Sequence, residues 1–399
     1  MLFKFALRNV FRNRKRSILT ILAILVASMV VAVAMGWIDG MLNMMLDNYK
    51  KYQTGDLRIT KVDFIKRERF LPVDELVGES ESLMDKIRQI NGVKHIEERV
   101  KFGLILGHKE SSKFAIGLGI DLKSSILKPE EKLIEGNLEK DGLYLGVNLA
   151  KKLKIKVGDE LLLATKTSEG GLNAIKLKVK GIFRYKVAPL DSDFFILDIK
   201  EAKRLLKIKE GTTEILVYTL PSKAEKVKAE ITKILPEGAT IKNVKEQMGN
   251  MYQLLEAGKI IYYIIYAIIV LLASFVVVNT MMMNVFERLK EIGTLKALGL
   301  TDEEVYLNFI IEGGIMGFIG SVGGGILGYI ANIILHFTGV DFEFVMKEIT
   351  MPMEYIIRPE ANIYVLFVTV ILGILIPAIT TMYPAGYARK LTPAEALRK

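Results

Sequence analysis

Apolar residues are gathered into four long runs along this chain and elsewhere fall into short alternating or helically spaced stretches. The first run, ILTILAILVASMVVAVAMGW from Ile18, is about the 20 residues a helix needs to cross a hydrocarbon core. Three more follow, and the spacing predicts membrane helices over residues 18–40, 260–285, 307–337 and 363–383. Pro377 in the fourth removes a backbone donor and predicts a kink, which neighbouring helices in a membrane bundle tolerate.

Between the first two runs the pattern changes. DLRITKV from Asp56 alternates as a strand, residues 82–90 have helical period and end at Asn91-Gly92, and residues 102–106 and 114–120 follow as a strand pair. Residues 160–165 and 175–185 predict strands of a small barrel-like unit. Residues 214–219, 222–235 and 239–244 then predict a βαβ-like return that packs against the opening half. The fold class expected is an α-helical membrane protein with four transmembrane helices and a large α+β extracytoplasmic domain of two lobes inserted between helices 1 and 2. That domain is placed at 41–259, with lobe 1 at 54–125 and 214–250 and lobe 2 at 130–213.

Charge supplies the direction. Lys4, Arg8, Arg12, Arg14, Lys15 and Arg16 crowd the start of the first run with no acidic residue among them, which predicts a cytoplasmic, basic N-terminus at residues 1–17. Four crossings return a tail, residues 384–399, to the same side, while the acid-leaning stretch 338–361 is expected as an extracytoplasmic loop. The location expected is therefore the cell membrane. The net charge of +10 belongs to these flanks and to a solvated Lys/Glu-rich middle, so no nucleic-acid partner is expected.

Chemistry is sparse. The chain has no cysteine, and its histidines, His95, His108 and His336, are scattered, so neither a thiol nucleophile nor a metal trio is expected. Gly117-Leu118-Gly119 lacks the third glycine of a dinucleotide fingerprint, and G-x-x-x-x-G-K-[ST] does not occur, so any energy from ATP would have to come through another polypeptide. No catalytic residue is expected.

The remaining signal lies between the second and third runs. In NVFERLKEIGTLKALGL, residues 284–300, Val285, Leu289, Ile292, Leu295 and Leu298 follow a helical period with charges beside them, which predicts a short amphipathic helix within 286–301. Periodicity alone equally fits a helix lying on the lipid interface. The wording E-R-x-x-E-I-G-x-L-K-A-L-G, from Glu287 to Gly299, resembles the coupling segment of FtsX-like ABC-transporter permeases, the family that includes macrolide-export and lipoprotein-releasing permeases. ALRNVFRNRKRS at the start and YPAGYARKLTPAEALRK at the end, with Pro384, Arg389 and Pro393, are similar to further motifs of that family and occur in its order. Residues 36–60, with Asp39-Gly40 and Tyr52-Gln53-Thr54-Gly55, are most similar to the lipoprotein-releasing branch.

The resemblance implies a non-catalytic permease subunit whose extracytoplasmic domain is moved by a separate ABC ATPase. ATP and Mg sit on that partner and no cofactor on this chain. It implies a second permease copy, identical or paralogous, and a lipoprotein or other hydrophobic substrate taken from membrane lipid. An alternative within the family is a mechanotransmitter that regulates a cell-wall hydrolase. Docking to the ATPase is expected from Glu287, Arg288, Glu291, Ile292, Gly293, Leu295, Lys296 and Gly299, apolar side chains filling a groove while charges set register. In the third run, Gly313, Gly317, Gly320, Gly324 and Gly328 are spaced for close helix contact. Glu312 must find a partner there, and an ion pair is expected.

Overall fold

The computed structural model describes residues 2–392 apart from 13, 110, 140, 347–353 and 391. Two compact units are present: Met1–Leu42, Gln253–Val340 and Ile357–Lys399 form a helical unit, and Asn43–Tyr252 with Asp341–Ile356 form an α/β unit.

Four helices, among the described residues, are long and apolar enough to cross a membrane. The first runs Arg14–Tyr49, the second Asn250–Glu287, the third Asp302–Thr338 and the fourth Ile363–Lys390. A separate N-terminal helix, Leu2–Arg12, precedes them. The third helix starts at a reciprocal cap: the Glu304 amide donates to the Thr301 hydroxyl and the Thr301 amide to the Glu304 carboxylate, satisfying donors that a helix start leaves open. Asp302, Glu303 and Glu304 also place negative charge at the positive end of its dipole.

The glycines of the third helix divide between two neighbours. A methyl group on Gly313 would lie 2.4 Å from Thr381 Oγ1, and one on Gly317 would lie 2.2 Å from the Gly373 carbonyl, both on the fourth helix. On Gly320, Gly324 and Gly328 it would run into Ile21, Leu25 and Ala32 of the first. Without a hydrophobic drive between helices in lipid, backbone approach of this kind is what brings them together. Pro377 has a part in it: it has no N–H for the carbonyl four residues back, that of Gly373, and this carbonyl faces Gly317, where a Cα–H can meet it. The second helix turns most of its length outward and buries only Val277, Met281, Asn284 and Val285, the first two in a cluster with Ala6, Val10, Ile24 and Ile315.

In the α/β unit the strands are β1 (Leu57–Lys61), β2 (Val93–His108), β3 (Ser111–Ile120), β4 (Leu133–Gly136), β5 (Leu143–Gly146), β6 (Glu160–Lys166), β7 (Leu172–Phe183), β8 (Phe194–Asp198), β9 (Glu214–Thr219) and β10 (Ala239–Asn243). They pair in the order β10-β1-β9-β2-β3-β8-β5-β7-β4, with β6 against β2 and β7. The long strand β2 is the spine. Its first half pairs with β9, and its second half with β3 and β6. Below the first half, helices Ser80–Arg88 and Ala224–Thr232 bring Leu83, Ile87, Val227 and Ile231 onto Leu57, Ile59, Ile215 and Val217. Around the second half, Phe102, Leu104, Leu145, Leu161 and Phe195 form another core.

Residues 341–356, within the stretch 338–361 expected as an extracytoplasmic loop, belong to this unit. The Tyr355 amide donates to the Lys186 carbonyl at 2.9 Å, Glu354 bridges Val187, and Arg184 pairs with Glu343 at 2.5 Å. The ring of Tyr355 is buried, with its hydroxyl 3.4 Å from Asn148 Nδ2.

Candidate functional site: a clamped helical elbow

The second helix stops at Glu287, and Arg288, with φ −103° and ψ 14°, leaves helical geometry before the short helix Leu289–Ala297 begins. That helix ends in a Schellman turn. The Leu300 amide donates to the Leu295 carbonyl and the Gly299 amide to that of Lys296, each at 3.1 Å, and Gly299 takes φ +102°. Open space surrounds Gly299, so the glycine serves the left-handed backbone and not a close contact.

The elbow is clamped from beneath by an ion pair. Arg288, 5% exposed, places Nη1 at 3.0 and 3.3 Å from the two oxygens of Glu312, itself 1% exposed, and lies over the ring of Phe309 at 5.5 Å. Asn308 Nδ2 donates to the same carboxylate at 3.3 Å. The ion pair expected for Glu312 is therefore present, with Arg288 as its partner. Two further ties come from the start of the chain, where Arg12 reaches Glu291 and Arg16 reaches Glu287. Glu291 also receives Arg288 Nε at 3.1 Å. Burial opposes its ionisation, but the hydrogen bonds from Arg12 and Arg288 outweigh that and hold its carboxyl below the usual range. At the other end Lys296 Nζ donates to the Arg389 carbonyl at 2.7 Å and pairs with Asp302 at 2.8 Å.

These contacts redistribute the residues expected to dock. Ile292 is 3% exposed and packs inward with Val285, Val305, Phe309, Ala385 and Ala388, so its side chain fills the chain's own core. Gly293 is also buried, and Leu295 and Lys296 are half-buried. The outward face consists of Lys290, Glu291, Thr294, Ala297 and Leu298, with Leu298 80% exposed. Pro384 is buried inside the fourth helix, near Arg389, and Pro393 lies outside the described residues. Sequence reading missed Arg12 and Arg16 as partners of the elbow; nothing in periodicity joins positions 271 and 279 residues apart.

A second set of buried charges lies where the first helix runs into the α/β unit. The helix passes into a π-helical turn, Lys50–Thr54. Arg99, on β2, donates to the Tyr52 carbonyl at 2.8 Å and pairs with Glu97 at 2.9 Å, while Lys101 Nζ reaches Gln53 at 3.0 Å. Arg58 Nε donates to Glu214 at 2.7 Å and its Nη1 to Glu68 at 2.6 Å. Burial opposes the charge on Arg58, but the two carboxylates more than offset this and raise its pKa. Among the described residues no group of three or more His, Asp or Glu side chains is placed to hold a metal ion.

Comparison with known proteins bears on this arrangement. The family model of the MacB-like periplasmic core domain matches residues 17–234, and that of the FtsX-like permease C-terminal region matches 263–393. An ABC transporter permease from Methanocaldococcus jannaschii is 24% identical over 99% of this chain and 96% of its own. The lipoprotein-releasing system transmembrane protein LolC of Xylella fastidiosa is 24% identical over 74% of this chain and 75% of its own, and LolE of Haemophilus influenzae is 23% identical over 79% and 80%. The periplasmic region of MacB from Actinobacillus actinomycetemcomitans is similar over 53% of this chain and 97% of its own, at 13% identity and a TM-score of 0.36.

Proposed function

The chain belongs to the family of FtsX-like ABC-transporter permeases with a MacB-like periplasmic core domain, and on that premise we propose that it turns ATP hydrolysis by a separate ATPase subunit into movement of its extracytoplasmic domain. In this reading the basic N-terminus, the elbow and the tail are cytoplasmic, and the domain, divided into two lobes about β2, stands on the far side of the cell membrane. The permease works as a dimer with an identical or paralogous copy. Its work is lipoprotein release or export of a hydrophobic substrate, the former supported by relatives named as lipoprotein-releasing proteins.

The observation that carries the proposal is the clamped elbow. A docking element must pass force on without yielding, and Leu289–Ala297 is fixed at one end by Arg288–Glu312 and at the other by Lys296–Asp302. Its exposed face, with Leu298 one turn beyond Thr294 and two beyond Lys290, has the apolar knob and polar rim that seat a short helix in a groove. ATP and Mg remain on the ATPase.

The test is co-expression with the cognate ATPase, scored by co-purification and by hydrolysis in reconstituted membranes. Leu298→Asp is expected to lose at least tenfold in ATPase recruitment while the permease keeps its thermal midpoint. Full recruitment and coupled hydrolysis by that variant would sink the assignment.

A further inference from the structure

One cavity of the helical unit takes no part in the elbow. It has a volume of about 140 Å³ and lies between the first, second and fourth helices, where Asp39, Lys259, Tyr262, Tyr263, Tyr266 and Tyr364 line it. Tyr364 donates its hydroxyl to Asp39 Oδ2 at 2.5 Å, and Asn362 Nδ2 approaches the same oxygen at 3.4 Å. Lys259 Nζ holds Glu256 at 2.8 Å. Tyr263 and Tyr266 stand edge to face with centroids 6.4 Å apart. Tyrosines at a membrane interface are ordinary anchors. A carboxylate and an ammonium lining the same aromatic cavity give it groups of both signs with which to meet a ligand.

A second cavity follows along the same three helices. Val31 precedes Met35 by one turn on the first helix, Val270 follows Tyr266 by one turn on the second, and Thr369 lies beyond Tyr364 on the fourth; all three line this next crevice. Its other walls are Ile24, Ala273 and Leu372, and its surface is apolar. The pair therefore has the polarity of an amphiphile: a charged, aromatic head compartment over an apolar tail compartment. Aromatic faces together with a carboxylate recognise an ammonium group, and a lysine recognises a phosphate as a point charge.

We propose that these two neighbouring cavities together bind one zwitterionic phospholipid-type amphiphile, with its ammonium against Asp39 and the tyrosines, its phosphate at Lys259 and an acyl chain in the crevice. This deepens the reading of a permease that handles membrane-anchored substrates, and it rests on that reading only for the presence of lipid at this level.

The test uses the full chain purified in detergent without its ATPase, titrated by calorimetry with short-chain dihexanoyl phosphatidylethanolamine, with dihexanoyl phosphatidylglycerol, and with phosphoethanolamine carrying no acyl chain. The zwitterionic lipid is expected to bind at least tenfold tighter than the anionic one and than the bare headgroup. Asp39→Asn, which keeps an acceptor for Tyr364, is expected to bring the two lipids within threefold of each other. Tyr263→Ala, at a position 60% exposed, is expected to weaken the zwitterionic lipid at least threefold. Equal affinity for both lipids, or a preference unchanged in both variants, overturns the proposal. Bare phosphoethanolamine binding as tightly as the lipid overturns the lipid source. ATPase recruitment is read on Leu298→Asp in a separate assay, so failure of lipid selectivity leaves the coupling proposal standing, and the reverse also holds.

Discussion

Arg288 and Glu312, 24 residues apart in the chain, meet through one guanidinium nitrogen, Nη1, shared between the two carboxylate oxygens at 3.0 and 3.3 Å, with neither side chain more than 6% exposed. A buried pair of this kind adds little over an apolar replacement, whereas removing one partner strands a charge. Arg288→Ala or Glu312→Ala is therefore expected to destabilise the chain by about 3–5 kcal/mol. The double replacement Arg288→Met with Glu312→Leu should recover most of that loss. Thermal unfolding in one detergent of the unaltered chain, Arg288→Met, Glu312→Leu and the double variant gives the double-mutant cycle, and additive losses would show that the pair does not act as a unit.

The N-terminal arginines act on the surface of the elbow, and their effect should be of a different size. Arg12 pairs with Glu291 where both are about half-exposed, so reversing either charge is expected to change stability by under about 1 kcal/mol. Coupled hydrolysis is the more sensitive readout. Arg12→Glu should lower it severalfold, and adding Glu291→Arg should restore it. Loss without restoration would mean that Arg12 acts through another group.

Ile292 separates packing from docking. Truncation to alanine leaves a hole among Val285, Val305 and Phe309 and is expected to cost about 2–4 kcal/mol of stability. Its effect on ATPase recruitment should disappear at a temperature where the variant is fully folded. Recruitment that stays impaired there would return Ile292 to the docking face.

The third helix offers an internal control. Gly317→Ala drives a methyl group into the Gly373 carbonyl, and overpacking of this kind is expected to cost about 1–3 kcal/mol. Gly314→Ala, where nothing lies within 4 Å, is expected to be neutral or to stabilise the helix by up to about 1 kcal/mol. Similar losses at the two positions, measured as thermal midpoints, would contradict the packing role.

Asp191 gives the α/β unit a pH dependence. Burial pushes its carboxyl up to about 6, only partly offset by the Tyr185 and Lys186 amides that donate to it. The folded protein then keeps a proton that the unfolded chain has already released from pH about 4 upward. Stability falls as pH rises from about 4 to about 6, by on the order of 3 kcal/mol, and is level above that window. Hydrogen exchange at Tyr185 and Lys186, corrected for its intrinsic pH dependence, should show greater protection at pH 4.5 than at pH 7.5. In Asp191→Asn the difference should vanish.

The sequence made some of these features legible and hid others for definable reasons. The helix Ala224–Thr232 announces itself by period, with Val227 and Ile231 buried and the opposite face wetted, and β1 by the alternation of Leu57 and Ile59 with Arg58 and Thr60, although all four are buried. β8, Phe194–Asp198, escaped: it is buried along nearly its whole length, and a continuous apolar run carries no alternation. The glycine stripe could be seen, but not its division between the first and fourth helices. Periodicity also identified the apolar side of Leu289–Ala297 without telling what that side faces, and so Ile292 read as a contact for a partner when it is a contact for Phe309. Arg12 and Arg16 could be read only as membrane-flanking charge, since their carboxylate partners lie beyond the whole α/β unit in the chain.

The α/β unit takes its last piece, residues 341–356, from beyond the third helix. During synthesis, about a hundred residues of mostly membrane-bound chain must emerge between Tyr252 and the arrival of Tyr355 in its niche beside Lys186 and Asn148. Until then Val187 lacks its bridge and Arg184 its carboxylate. Completion of this unit is thus tied to successful insertion of the two helices made in the meantime, so a nascent chain that fails at the bilayer carries an unfinished surface that quality control can recognise.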